Sequence, residues 1–157
     1  MPDDMLAAVN AARGEEKLPP LTLNERLNTA ACRQAKDLAG RALSDVEALS
    51  HQGSDGSTLA SRLQDAGYGY RAAAENLAAG VADPRETVRL WLASEGHRRN
   101  MLNPAFREAG AAHLGPRVSP GGNRQGPMDV WVLVLAAPGG GDPMTSSEAK
   151  NPRDCAD

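Results

Sequence analysis

Residues 130–135, with the sequence VWVLVL, constrain the fold of this chain more than any other segment. In a β-strand, alternate side chains point to opposite faces of the sheet. Both alternating sets are apolar here, so both faces of the strand must be covered. The strand pattern extends over 128–137, and a second one spans 108–114, each bounded by Gly and Pro. The simplest arrangement is a sheet enclosed between layers of helices.

Helical signals surround these strands. A first helix places Leu6, Val9, Asn10 and Arg13 on one face and ends near Gly14. Further helices are predicted with their own start signals: a capping pair of Thr22 and Glu25 for 22–42, Ser57 as the cap of 58–66, and Asp83 with Pro84 for a helix that runs through Leu92.

The chain has 157 residues, a length that suits one domain with one core. We predict a domain over 1–138, within which 116–127 is a mobile connection, and a flexible polar tail over 139–157. Cys32 lies in a predicted helix and Cys155 lies near the end of the chain. A disulfide between them and two unrelated thiols are equally compatible with the sequence.

Charge and hydropathy exclude two classes of partner. The formal net charge is −3, with both signs interspersed, whereas an electrostatic nucleic-acid surface needs a basic face. No segment approaches the roughly 20 apolar residues of a spanning helix, and the opening segment MPDDMLAAVN lacks the order of a signal peptide. We therefore expect no nucleic-acid partner and no transmembrane segment.

Two histidines lie in polar, turn-like settings that solvent can reach. His51 lies in the turn-forming segment 50–57, SHQGSDGS, and His97 follows Glu95 and Gly96. Because a regular helix would point Glu95 and His97 to opposite sides, these two side chains converge only in a turn. Structural explanations stay open: His51 as a hydrogen-bonded surface residue, and the Glu95 segment as a helix end that collects basic side chains.

Three other polar residues need an explanation. Glu75 lies inside the apolar, Ala-rich stretch 70–80, where it is either buried with a partner or exposed on a helix or a strand edge. Asn100 is expected to brace the turn near His97 by bonding backbone groups. His113 is interpreted as a hydrogen-bonded residue of its predicted strand.

Together these pieces resemble the CAP superfamily of cysteine-rich secretory, antigen 5 and pathogenesis-related proteins, and above all its bacterial SCP-like extracellular branch. The resemblance covers nearly everything from about Met5 to Ala137. It is carried by short motifs in the family's order: Val9, Asn10 and Arg13; 18–21, LPPL; Ser50 and His51; 74–77, AENL; 91–102, WLASEGHRRNML; and Val130 with Trp131.

The resemblance implies an α+β fold, a three-layer α-β-α sandwich with a small, mainly antiparallel sheet between helices. It also implies a cleft in which His51 and His97 bind a divalent metal ion, commonly zinc, while Glu75 and Glu95 hold water or orient the histidines. Two imidazoles supply half of a tetrahedral zinc shell. A carboxylate general base would complete the requirements for hydrolysis, which makes Glu75 and Glu95 the candidate catalytic residues.

A different class of function stays open beside metal binding. Some relatives suggest a noncatalytic module that binds lipids or sterols, or an envelope-associated interaction domain, so the expected ligand is a small molecule, a lipid or a peptide. We expect a monomer that is secreted to the periplasm or the exterior. The cysteine-rich extension of eukaryotic relatives is missing, so their disulfide framework does not carry over.

Overall fold

The computed structural model describes residues 2–40, 49–115, 117–118, 124–125 and 128–139. These residues form five helices and six strands. In chain order the elements are α1 (Pro2–Glu15), β1 (Thr22–Leu23), α2 (Glu25–Gly40), α3 (Leu59–Asp65), β2 (Tyr70–Ala79), α4 (Pro84–Leu92), α5 (Glu95–Met101), β3 (Glu108–Leu114), β4 (Arg117–Val118), β5 (Arg124–Gln125) and β6 (Val130–Pro138).

The central sheet confirms the prediction made from residues 130–135. Its strand order is β1-β3-β6-β2, with a parallel β1–β3 pair and antiparallel pairs elsewhere. Along β6, Val132 and Val134 pack with α2 and α3, whereas Trp131 and Leu133 pack with α1, α4 and α5. Both faces of this strand are therefore buried, and the fold is the expected α+β sandwich with helices on either side of a mainly antiparallel sheet.

The helix predictions are confirmed in position and corrected at two caps. Thr22 does not cap α2, because its backbone joins β1 beside β3; the side chain of Asn24 accepts from the backbone N–H groups of Arg26 and Leu27 instead. The cap of α3 is Thr58 and not Ser57. At α4 the predicted cap is confirmed, since Asp83 accepts from the N–H of Arg85.

The predicted turn at Glu95 and His97 is wrong. Both residues lie in the first part of the short helix α5, which Ser94 begins and in which the N–H of Arg98 donates to the Ser94 carbonyl at 2.8 Å. Gly96 is accommodated inside this helix, so its conformational freedom is not used to form a turn. With 3.6 residues per helical turn, Glu95 and His97 diverge.

Part of the predicted mobile connection is ordered. Within 116–127, the two short strands β4 and β5 pair antiparallel, and the remaining residues of that segment lie outside the described part of the chain. The predicted tail also lies outside it beyond Gly139, as does Cys155. Cys32 lies on α2, is buried and takes part in a disulfide.

Helix α2 approaches the sheet closely at Gly110 on β3. A Cβ atom there would lie 2.3 Å from the backbone N of Asn28 and 2.6 Å from the Cβ of Leu27, both on α2. We expect Gly110→Ala to lower the free energy of unfolding by about 3 kcal/mol, because helix and strand backbones must separate. Chemical denaturation measures the loss.

Gly14→Ala is the matched control, because nothing lies within 4 Å of a Cβ atom at this α1 position. Alanine is favoured over glycine in helices by roughly 0.5–1 kcal/mol, so this variant should be neutral or more stable. Equal effects of the two substitutions would contradict the packing argument.

Candidate functional site

The site is built on β2, the strand at one edge of the sheet. Successive residues of a strand point to opposite faces, so Glu75 and Asn76 leave β2 in opposite directions. Glu75 faces α2 and α3, as does its neighbour Leu77, whereas Asn76 faces α4 and α5. Neighbouring residues of β2 therefore contact the helical layers on opposite faces of the sheet.

His51 is carried by a loop that the rest of the fold holds firmly. Gln34 of α2 donates to the Ser50 carbonyl at 2.6 Å, and Asp37 accepts from the N–H of Ser54 at 3.1 Å. The loop is also compact, since a Cβ atom at Gly53 would lie 2.3 Å from the Oγ of Ser57. The turn-forming sequence thus produces a fixed platform.

Glu75 connects this loop to the sheet. Its side chain is only 2% exposed, and its Oε1 lies 2.9 Å from Nδ1 of His51, whose ring is 62% exposed. Its Oε2 accepts from Arg62 of α3 at 3.0 Å. The choice left open by the sequence is thereby resolved: Glu75 is buried with partners. Sequence analysis did not single out Arg62, because nothing in 59–65 distinguishes a buried arginine from a surface one.

On the other side of β2, His97 is held by its backbone and by an aromatic neighbour. Asn76 donates to the His97 carbonyl at 3.1 Å, and Asn100 donates to Oδ1 of Asn76 at 2.9 Å. Asn100 therefore braces α5 through a side chain and not through the backbone group that we expected. The His97 ring lies 6.4 Å from that of the buried Trp91, centroid to centroid.

The pKa values of the two imidazoles shift in opposite directions. Burial, and after it the charge of His51, lowers the pKa of His97 below its ordinary value. The hydrogen bond to Glu75 outweighs burial and raises the pKa of His51. The lowered pKa widens the pH range in which His97 is neutral and able to bind a cation, whereas the raised pKa widens the range in which His51 is protonated.

Glu95 lies apart from this group. Its side chain is 88% exposed and forms an ion pair with Arg99 at 2.9 Å, one helical turn further along α5. It lines a shallow depression together with Arg98, Leu102, Asn103 and Pro104. The structure thus brings His51, Glu75 and His97 to one edge of the sheet and points Glu95 along the outer surface of α5.

His113 belongs to a different part of the molecule. Its Nε2 lies 3.0 Å from Oδ1 of Asp129, and its ring stacks on Trp131 with centroids 4.6 Å apart. This is the hydrogen-bonded strand residue that the sequence predicts.

The hydrogen bonding of His51 leaves one ring nitrogen that could hold a metal ion. Ionised Glu75 is an acceptor, so the His51 hydrogen lies on Nδ1 in the neutral ring and Nε2 keeps its lone pair. A carboxylate behind a histidine is the usual support of a metal-binding imidazole. In the described part of the chain, no group of three or more His, Cys, Asp or Glu side chains is arranged to hold a metal.

A sequence model of the Cysteine-rich secretory protein family, CAP, matches residues 6–134. The Bacillus subtilis protein YkwD, described as uncharacterized, is 33% identical over 105 residues, which are 67% of this chain and 39% of YkwD.

Solved structures share the fold. An extracellular protein containing an SCP domain from Bacillus anthracis superposes with a TM-score of 0.67 and 27% identity, over 86% of this chain and 39% of that one. An outer surface protein from Borrelia burgdorferi has the same TM-score with 18% identity, over 86% of this chain and 90% of that one. The chain thus spans 39% of the length of YkwD and of the Bacillus anthracis protein.

Proposed function

The chain belongs to the CAP family of cysteine-rich secretory proteins, and we propose that it binds a divalent metal ion, zinc first among them, through His51 and His97. The observation that supports the proposal is the attachment of both histidines to neighbouring residues of β2: Nδ1 of His51 lies 2.9 Å from Oε1 of Glu75, and the His97 carbonyl accepts from Asn76 at 3.1 Å. Glu75 occupies Nδ1 of His51 and so leaves Nε2 for the ion. Two protein ligands leave further positions for water or a ligand.

The two glutamates take different roles in this proposal. Both oxygens of Glu75 are engaged, one by His51 and one by Arg62, so Glu75 orients the imidazole. Glu95 lies apart from the two histidines and pairs with Arg99, so the described geometry does not support it as the general base for hydrolysis. When bound, the ion would supply the Lewis acidity that hydrolysis needs.

We also propose that the domain acts outside the cytoplasm. The Bacillus anthracis relative is described as extracellular, and the Borrelia burgdorferi structure as an outer surface protein. None of the helices in the described ranges combines the length and the apolar character that crossing a membrane requires.

Thermal unfolding with and without zinc tests the proposed site. A ligand that binds only the folded state at 100 times its Kd stabilises by about 2.7 kcal/mol. For a domain of this size that corresponds to a rise in Tm of about 5–10 °C. His51→Ala combined with His97→Ala should abolish the rise.

His113→Ala is the matched control, because His113 pairs with Asp129 away from the β2 edge. Compared with its own zinc-free Tm, this variant should keep the full rise. A zinc response that survives the double substitution, or that disappears with His113→Ala, would contradict the assignment of the ligands.

A further inference from the structure

We infer that Arg62 is a positioning residue, which fixes the imidazole of His51 in one orientation and one tautomer with its hydrogen on Nδ1. The inference rests on the proposed function in one respect only: the Nε2 that Arg62 keeps available is the atom proposed to bind the ion. The orientation itself is a property of the metal-free chain.

The first support is a closed ring of contacts among three residues. Nη2 of Arg62 donates to the His51 carbonyl at 3.0 Å and to Oε2 of Glu75 at 3.0 Å. The other oxygen of Glu75 then meets Nδ1 of the same histidine at 2.9 Å. One nitrogen of Arg62 therefore holds both ends of His51, the backbone directly and the ring through Glu75.

The second support is the burial of the guanidinium. The Arg62 side chain is 0% exposed. Its Nη1 donates to the carbonyl and the Oγ of Ser57, the residue that precedes the cap of α3. A buried charge needs a partner, and Glu75 is the carboxylate that supplies it. Arg62 and Glu75 thus hold each other as a fixed, ionised pair behind an exposed imidazole.

The third support is that these contacts require the planar guanidinium group of an arginine. A guanidinium presents several N–H donors in fixed directions, so Arg62 reaches Ser57 with one nitrogen and His51 with Glu75 through the other. The ammonium of a lysine keeps the charge, but its three N–H groups rotate about one nitrogen and have no fixed directions. It satisfies the charge of Glu75 without defining where that carboxylate lies.

Arg62→Lys is the variant that tests this inference, with Arg33→Lys on the exposed face of α2 as its matched control. Histidine ¹⁵N shifts, measured on metal-free protein above the pKa of His51, report which ring nitrogen carries the hydrogen. We expect a single Nδ1–H form in the parent chain and in Arg33→Lys, and a mixture of both tautomers in Arg62→Lys. Zinc affinity should fall by about 10-fold or more in Arg62→Lys, as for other residues that support a metal ligand.

Ser57→Ala provides a second test if Arg62→Lys fails to fold, because it removes one partner of Arg62 and leaves the charge pair intact. A smaller but measurable admixture of the second tautomer is expected. A single Nδ1–H tautomer in the folded variants would overturn the inference, even if zinc binds the parent chain. If the variants show mixed tautomers and the parent chain binds no zinc, the role of Arg62 is supported and the proposed function is refuted.

Discussion

Replacing Arg13 by Met is expected to lower the free energy of unfolding by about 4 kcal/mol. The side chain is fully buried and donates four hydrogen bonds to backbone carbonyls, those of Pro19, Met101, Asn103 and Phe106. Methionine fills much of the same volume but leaves all four acceptors without this donor. At about 2–4 °C per kcal/mol for a domain of this size, Tm should fall by roughly 10 °C.

Arg33→Met is the control for this measurement. Arg33 also bridges two carboxylates, Asp55 and Asp65, but its side chain is 39% exposed and both carboxylates are more exposed still. Exposed ion pairs contribute about 0–1 kcal/mol, so this substitution should change stability little. If denaturant unfolding gave similar losses for Arg13→Met and Arg33→Met, the buried cluster of carbonyls would not be what Arg13 stabilises.

Arg13 connects the first helix to the end of α5, the helix that carries His97. Its bonds to the Met101 and Asn103 carbonyls satisfy acceptors that the C-terminal end of α5 leaves open. Asn10 of the same motif exchanges hydrogen bonds with the backbone of Leu21. Arg13 thereby fixes the end of the helix that carries His97, whereas Asn10 fixes the segment that precedes β1.

The elements that could be predicted from sequence are those with a strong local pattern. The doubly apolar strand β6 and the Asp83 cap of α4 are examples, because burial on two faces and capping each leave a signature of a few residues. β1 lacked such a signature: Thr22 and Glu25 resemble a capping pair, and pairing with β3 across the fold decides the outcome. Long-range pairing overrides a weak local preference.

In the site, too, features with a local sequence pattern could be predicted and those set by long-range contacts could not. Turn residues around His51 and a lone acid in an apolar stretch indicated His51 and Glu75, and the structure brings them to within 2.9 Å. Their orientation depends on Arg62, which no local pattern distinguishes. Glu95 and His97 were expected to converge in a turn, but α5 continues through both and separates them. Which face a short helix presents is decided by tertiary contacts such as that of Asn76 with the His97 carbonyl.

The affinity for zinc is expected to rise by at least about 10-fold between pH 5.5 and pH 8, because only neutral imidazoles bind the ion. His51, whose pKa is raised by Glu75, must lose a proton over a range that begins above about pH 6.5. At His97, whose pKa is lowered by burial, protons compete with the ion only below about pH 6.5. The logarithm of the affinity should therefore rise by about one per pH unit between the two pKa values. Below both pKa values it should rise by about two per pH unit.

The stability of the metal-free chain should respond to pH differently, which makes the comparison diagnostic. The raised pKa of His51 contributes stability below about pH 6.5 that is lost as the pH rises through its folded value. The lowered pKa of His97 contributes stability above about pH 6.5 that is lost as the pH falls. The two histidines thus have opposite effects on how the free energy of unfolding changes with pH. Protonation of either histidine, by contrast, weakens metal binding.

Competition with a chromophoric chelator across this pH range measures the affinity, and histidine NMR titrations of the metal-free chain assign each step. Glu75→Gln weakens the hydrogen bond, and removes the charge, that raise the pKa of His51, so the upper step should move to lower pH. An affinity that stays constant between pH 6 and pH 8, or an upper step that stays in place in Glu75→Gln, would show that His51 does not bind the ion as an imidazole supported by Glu75.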